Sequence, residues 1–136
     1  MLVASFLGLK KPIHEESDLV ELIRNGLPAK TLHCLARKTK TTVTQLRVAV
    51  HVDASTLARR IRTNTPLKSD ESDRVVRVAR IAALAVEAMG ADDGIAWLNE
   101  PNWALGERVP TTMLDTEIGA RQVEDVLTRI QHGVYS

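Results

Sequence analysis

Apolar residues recur along the chain at helical intervals of three and four, in stretches separated by start and stop signals. The first stretch is Asp18–Asn25, with Leu19, Leu22 and Ile23 on one face, Ser17 as the expected N-cap and Gly26 as the stop. Pro28 suits the first turn of a second helix, which runs through Leu32 and Leu35 to about Lys38. The spacing of Val43, Leu46 and Val50 predicts a third helix over Thr41–Val50. Asp53 is placed to cap a fourth, Ala54–Arg62, with Leu57 and Ile61 expected to face inward. Thr63-Asn64-Thr65-Pro66 then breaks the pattern and marks the expected domain boundary.

Beyond that break, Ser69 is expected to cap a long helix that carries Asp70, Glu71 and Asp73 in its first turns and ends at Gly90. Its polar residues Asp73, Arg77, Arg80 and Glu87 fall within roughly 80° of one another at 3.6 residues per turn. Nearly everything else between Val75 and Met89 is apolar, and such a helix must be covered on more than one side. In so small a unit, that predicts a partner surface as well as a core. A short helix over Asp92–Asn99, a loop through Pro101–Gly106, a turn at Pro110 and a last helix over Thr116–His132 complete the chain. No stretch shows strand alternation. The expected fold is all-α, with an N-terminal segment (1–16), a helix-turn-helix unit (17–65) and a helical unit with a partner surface (66–136).

Composition narrows the picture. With 136 residues, 44% hydrophobic and 26% charged, the chain fits one ordinary globular domain or two small ones. Cys34 stands alone, so no internal disulfide is expected. The apolar opening Leu2–Leu7 is too short for a signal-peptide core, and no run approaches a membrane span. A cytoplasmic protein without membrane contact is expected.

Charge divides the chain. Residues 1–63 hold eleven basic against five acidic groups, a balance of +6, while residues 64–136 hold seven against twelve, a balance of −5. Between Lys30 and Arg62 there are eight basic residues and one acid, Asp53. In that run, Thr44–Arg60 gives a short helix, a tight turn at His51-Val52, a cap at Asp53 and a second helix rich in Ser, Thr and Arg. This is the layout of a helix-turn-helix, whose second helix enters the major groove. Ser55, Thr56, Arg59 and Arg60 are expected to face outward, where Arg can read guanine and Ser or Thr can reach base edges or phosphates. Thr44 and Gln45 sit where backbone phosphates pass, and Lys38, Lys40 and Arg62 add salt-sensitive attraction. The competing reading is a helical core with a solvated basic face.

The acidic half carries little chemistry. His14, His33, His51 and His132 lack metal-ligand spacing, and neither a phosphate loop nor a nucleophile motif is present. No enzyme activity, cofactor or metal is expected. Glu117/Arg121 and Asp125/Arg129 have the favourable i,i+4 order of surface helix pairs. Trp97 and Trp103, two indoles in a small acidic unit, fit either a core or an interface hot spot.

The sequence also carries a family resemblance. Its landmarks are Asn25-Gly26-Leu27-Pro28, Thr56-Leu57-Ala58-Arg59-Arg60 and Glu71–Arg77, then Ala96–Asn102, Ala104-Leu105-Gly106, Leu114–Ala120 and His132–Tyr135. In this order they resemble Xre-type antitoxins with a Xre/MbcA/ParS-like toxin-binding C-terminal domain. The resemblance implies a non-enzymatic, dimeric type II antitoxin with two partners. One is a RES-domain toxin that depletes NAD; the other is promoter DNA, bound to repress its own operon. Trp97, Asn102, Trp103, Leu105, Glu117, Arg121, Glu124, Tyr135 and Ser136 are the expected toxin-binding residues. A toxin that accepts NAD needs an electropositive pocket for pyrophosphate. The acidic surface of residues 92–136, with Glu117, Glu124 and the terminal carboxylate near Tyr135, is expected to cover or enter it.

Against the family pattern, Arg47 replaces a small residue, His51 a turn glycine and Asp53 a serine, and Gly106-Glu107 stands where a double glycine is common. Two other readings compete. One is a stand-alone helix-turn-helix regulator; the other is a toxin binder that has lost DNA binding.

Overall fold

A computed structural model describes residues 2–133, which form eight α-helices and two 3-10 turns and, among those residues, no β-strand. The helices are α1 (Leu2–Leu7), α2 (Glu16–Asn25), α3 (Thr31–Thr39), α4 (Val43–Val50), α5 (Ala54–Thr63), α6 (Ser69–Met89), α7 (Ala91–Leu98) and α8 (Glu117–Gln131). The 3-10 turns are Trp103–Leu105 and Pro110–Met113. The all-α expectation is met.

Two helix starts differ from expectation by the same mechanism. Helix α2 is capped at Glu15 rather than Ser17, because the Asp18 carboxylate reaches back to the backbone N–H groups of His14 and Glu15, at 2.9 and 3.2 Å. Those bonds hold the Asp18 carboxyl below the usual aspartate range. Helix α6 is capped at Lys68 rather than Ser69, because Glu71 accepts the Lys68 N–H at 2.8 Å. In both, a carboxylate at the third helical position satisfies an orphan donor.

Helix α6 is the axis of the molecule, in contact with α1, α2, α3, α4, α7 and α8. Val75, Val76, Val78, Ala79, Ile81, Ala82 and Ala85 are all buried, and Asp73, Arg80 and Glu87 reach solvent. The chain's own helices cover most of that apolar circumference, with Leu84, Val86, Ala88 and Met89 left half-buried. Part of that cover is α1, which no periodic pattern announced, with Val3, Phe6 and Leu7 buried. At Gly94 of α7 an added Cβ would lie 2.6 Å from the Ala85 carbonyl oxygen, so glycine is what lets α7 lie directly on α6. One contiguous cluster of buried residues runs from Val3 to Leu127.

A cationic face on α5 and a mixed face beside α8

Helices α4 and α5 form the two arms of a helix-turn-helix. Thr42 caps α4, its hydroxyl accepting the Gln45 N–H at 3.1 Å, and Gln45 is further tied to the Thr41 side chain. Helix α4 ends at His51, a left-handed residue with φ 63 and ψ 48. That conformation is uncommon for a residue other than glycine, though histidine is among those that tolerate it. Val52 then donates to the Arg47 carbonyl at 3.1 Å. Asp53 caps α5 as expected: its carboxylate accepts the Thr56 N–H at 2.7 Å and the Ser55 hydroxyl at 3.0 Å. These bonds, the Thr56 backbone first, hold the Asp53 carboxyl below the usual aspartate range. Leu46, Val50, Val52 and Leu57 are buried and fix the crossing of the two helices.

Two residues of α5 are not where the sequence pattern put them. Ile61, expected inward, is 40% exposed. Arg60, expected outward as a DNA-reading residue, is only 6% exposed. Its guanidinium is ion-paired with Glu71 of α6, which is itself buried. The pair is legible only in three dimensions, because Glu71 already caps α6 and its carboxylate lies where α5 crosses. Arg60 is thus a structural cation and leaves the candidate DNA face.

Of the remaining candidates, Thr44 and Arg62 line one groove, and Ser55, Arg59 and Arg62 share one face of α5 at helical spacing. Ser55, Arg59 and Arg62 are exposed, Thr56 is half-buried, and Thr44, Gln45 and Lys40 are exposed nearby on α4 and at the end of α3. Arg47, absent from the expected set, is half-buried and lines a groove of about 510 Å³ with His33, Val43, Thr44, Ala58, Ile61 and Arg62. Among the described residues, no ion pair engages Arg47, Arg59 or Arg62. Unpaired guanidinium groups on an exposed helix face are suited to phosphates and guanine edges.

The C-terminal candidates separate into three places. Trp97 is half-buried against the core and Leu105 is 6% exposed, so Leu105 supports its loop from within rather than offering a contact. Asn102 holds the loop: its side chain accepts the Ala104 N–H at 2.9 Å, and its backbone pairs with Arg108 and Glu107 at 3.1 and 2.8 Å. Gly106 and Glu107 are consecutive left-handed residues, φ 66 and 64, so the position where a second glycine is common holds a glutamate in the same conformation. This tight turn presents Trp103 at 71% exposure.

Helix α8 divides two clefts. On one flank, Gln122, Asp125 and Arg129 face Ala104, Gly106 and Arg108 across about 350 Å³. On the other, Glu117, Arg121 and Glu124 line a cleft of about 550 Å³ against α2 and α6. Arg121 and Glu117 pair at 2.8 Å, in the expected i,i+4 order. Ile118, 70% exposed at the start of α8, was not among the expected residues. Its signal was its angular position, off the stripe of Val123, Val126, Leu127 and Ile130. Tyr135 and Ser136, expected at the toxin interface, lie outside the described residues. Among the described residues there is no cluster of three potential metal ligands, and no helix is long and apolar enough to cross a membrane.

The fold is that of a helix-turn-helix protein joined to a second, helical half. Comparison with known proteins makes this specific. Residues 18–80 match the antitoxin Xre-like helix-turn-helix domain, and residues 84–133 match the antitoxin Xre/MbcA/ParS C-terminal toxin-binding domain. Antitoxin Xre of Yersinia enterocolitica is 30% identical over 127 residues, covering 92% of this chain and 86% of that protein. Antitoxin Xre of Photorhabdus laumondii is 36% identical over 93 residues (67% of this chain, 62% of that one), and its Pseudomonas putida counterpart 42% over 80 residues (57% and 50%). The chain belongs to the Xre antitoxin family, a family of DNA-binding antitoxins and not of enzymes.

Proposed function

We propose that this chain is the antitoxin of a type II pair whose toxin is a RES-type, NAD-depleting protein, and that it represses its own operon as a cytoplasmic homodimer. The observation that carries the reading is the contrast between its two exposed faces. Arg59 and Arg62 stand unpaired on α5 beside Ser55, a face fit for a polyanion. Trp103 projects from a tightly tied turn beside the mixed-charge surface of α8, a face fit for a protein. Helix-turn-helix proteins commonly read two half-sites as dimers, which favours the homodimer. Glu124 supplies the negative charge that an electropositive dinucleotide pocket would meet, beside Glu117, which is paired with Arg121. Residues 17–65 read the promoter and residues 66–136, which begin with α6, engage the toxin.

The test is co-expression with the neighbouring open reading frame, tagging only the neighbour. Growth and cellular NAD are expected to fall when the neighbour is expressed alone. Both recover on co-expression, and the two proteins co-purify. A harmless neighbour that does not bind the chain would contradict the reading and leave a stand-alone regulator.

A further inference from the structure

The helix-turn-helix is tied at several points to the half of the chain assigned to the toxin. Asn99, just past α7, donates its side-chain amide to the Thr39 carbonyl at the end of α3, at 2.9 Å. Within residues 18–80, Arg74 of α6 donates to the Val50 carbonyl at the end of α4, at 3.3 Å, and so holds the turn to the long helix that leads into the other half. One residue further, in the turn itself, His51 Nε2 lies 2.9 Å from the carbonyl oxygen of Asp115, 64 residues away. A carbonyl can only accept, so Nε2 carries a proton in this contact. Asp115 directly precedes Thr116, whose hydroxyl caps α8 by accepting the Gly119 N–H at 3.0 Å.

The residue at this point is unusual in two linked ways. His51 occupies a left-handed conformation that glycine adopts with no steric penalty. Glycine, however, could not reach Asp115. The side chain thus accepts a backbone cost and gains a bond between the turn that aims α5 and the segment that starts α8. Asp53, two residues on, caps α5, so any displacement of residue 51 is passed to the first turn of that helix, where Ser55 and Thr56 lie.

We infer that His51 is a positioning residue for DNA reading: it fixes the docking angle of α5 on the toxin-binding half, so that toxin engaged at the start of α8 changes DNA affinity through the His51–Asp115 contact. The inference rests on the reading that α5 meets DNA and α8 the toxin. Affinity coupling of this kind is reciprocal, so DNA must change toxin affinity by the same factor.

The test uses the full chain as wild type, His51→Gly and His51→Asn. Each is titrated with a fluorescent duplex covering the region upstream of its own gene, with and without the purified protein of the neighbouring gene. Each is also melted thermally. Adding the neighbour's protein is expected to change wild-type DNA affinity by about fivefold or more. In His51→Gly the melting temperature holds or rises and affinity for the neighbour's protein is kept. Its affinity for DNA alone falls several-fold, and the effect of the neighbour's protein on DNA affinity shrinks to about twofold or less. His51→Asn, which tolerates the left-handed turn and keeps a side-chain donor, falls between. An undiminished response to the neighbour's protein in His51→Gly overturns the inference, as does a clear loss of thermal stability in that variant. A wild type whose DNA affinity ignores the neighbour's protein also overturns it. A wild type that binds neither the duplex nor the neighbour's protein refutes the functional reading first, and the positioning role with it.

Discussion

Helices α5 and α8 each bury one face and offer the other, yet the offered faces differ in kind. On α5 the outer side carries Arg59 and Arg62 with no acidic residue between Ala54 and Thr63, and its one buried charge, Arg60, is matched by Glu71. On α8 both signs are interspersed: Arg121 is paired with Glu117, and Glu124, Asp125 and Arg129 follow. The +6 and −5 halves of the sequence are therefore not two diffuse fields. On α5 the exposed charge stands outside ion pairs, whereas on α8 opposite charges share the surface and Arg121 is paired with Glu117. Position on the helix, more than residue type, decides which arginine is available.

The largest effect is expected at Arg60. Its replacement by Ala leaves Glu71 buried without its partner, and breaking such a pair costs about 3–5 kcal/mol. Denaturant unfolding of Arg60→Ala is expected to show that loss, with both binding activities failing together. An Arg60→Ala protein of wild-type stability that loses only DNA binding would return Arg60 to the reading face. The double variant Arg59→Ala/Arg62→Ala does the opposite. Its stability stays within about 0.5 kcal/mol of wild type, as expected for exposed residues. Its DNA affinity falls by about 1–3 kcal/mol for each arginine that contacts a base, or the salt slope falls by about one for each that contacts a phosphate.

On the other side, Trp103→Ala is expected to weaken toxin binding by about 2 kcal/mol, the scale of a hot-spot indole. Isothermal titration would show it, while DNA affinity in the absence of toxin stays unchanged. The smallest effect is at Glu107. Its left-handed backbone costs a residue with a Cβ about 1–2 kcal/mol, partly offset by the entropy glycine loses on folding. Glu107→Gly is thus expected to stabilise the protein by about 0.5–1 kcal/mol. A destabilised Glu107→Gly would mean that the glutamate side chain supports the turn.

Much of this was legible in the sequence where the signal was local. Asp53, three residues before Thr56 and just before an apolar period, predicted its cap correctly, and the long helix between residues 69 and 89 followed from an unbroken run. What escaped depended on distant partners. Arg60 reads as one arginine of a basic pair until Glu71 is placed opposite it. Helix α1 is too short to show a period, and its burial comes from α3 and α6. The circumference of α6 did show that it must be covered, though not by what. His51 declared itself as a departure in a turn, while its partner lies at the far end of the chain. The candidate toxin face was legible by residue type but not by arrangement: Leu105 turned inward, and Glu117, Arg121 and Glu124 line a different cleft from the loop that carries Trp103.

The proposal is that two faces of one molecule serve two partners. Its most direct test measures promoter duplex and neighbour-encoded protein in parallel against Arg59→Ala/Arg62→Ala and Trp103→Ala. A crossed result is expected, in which the first variant loses DNA and keeps the protein partner, and the second loses the protein partner and keeps DNA. Either variant losing both, with its fold intact, would contradict it.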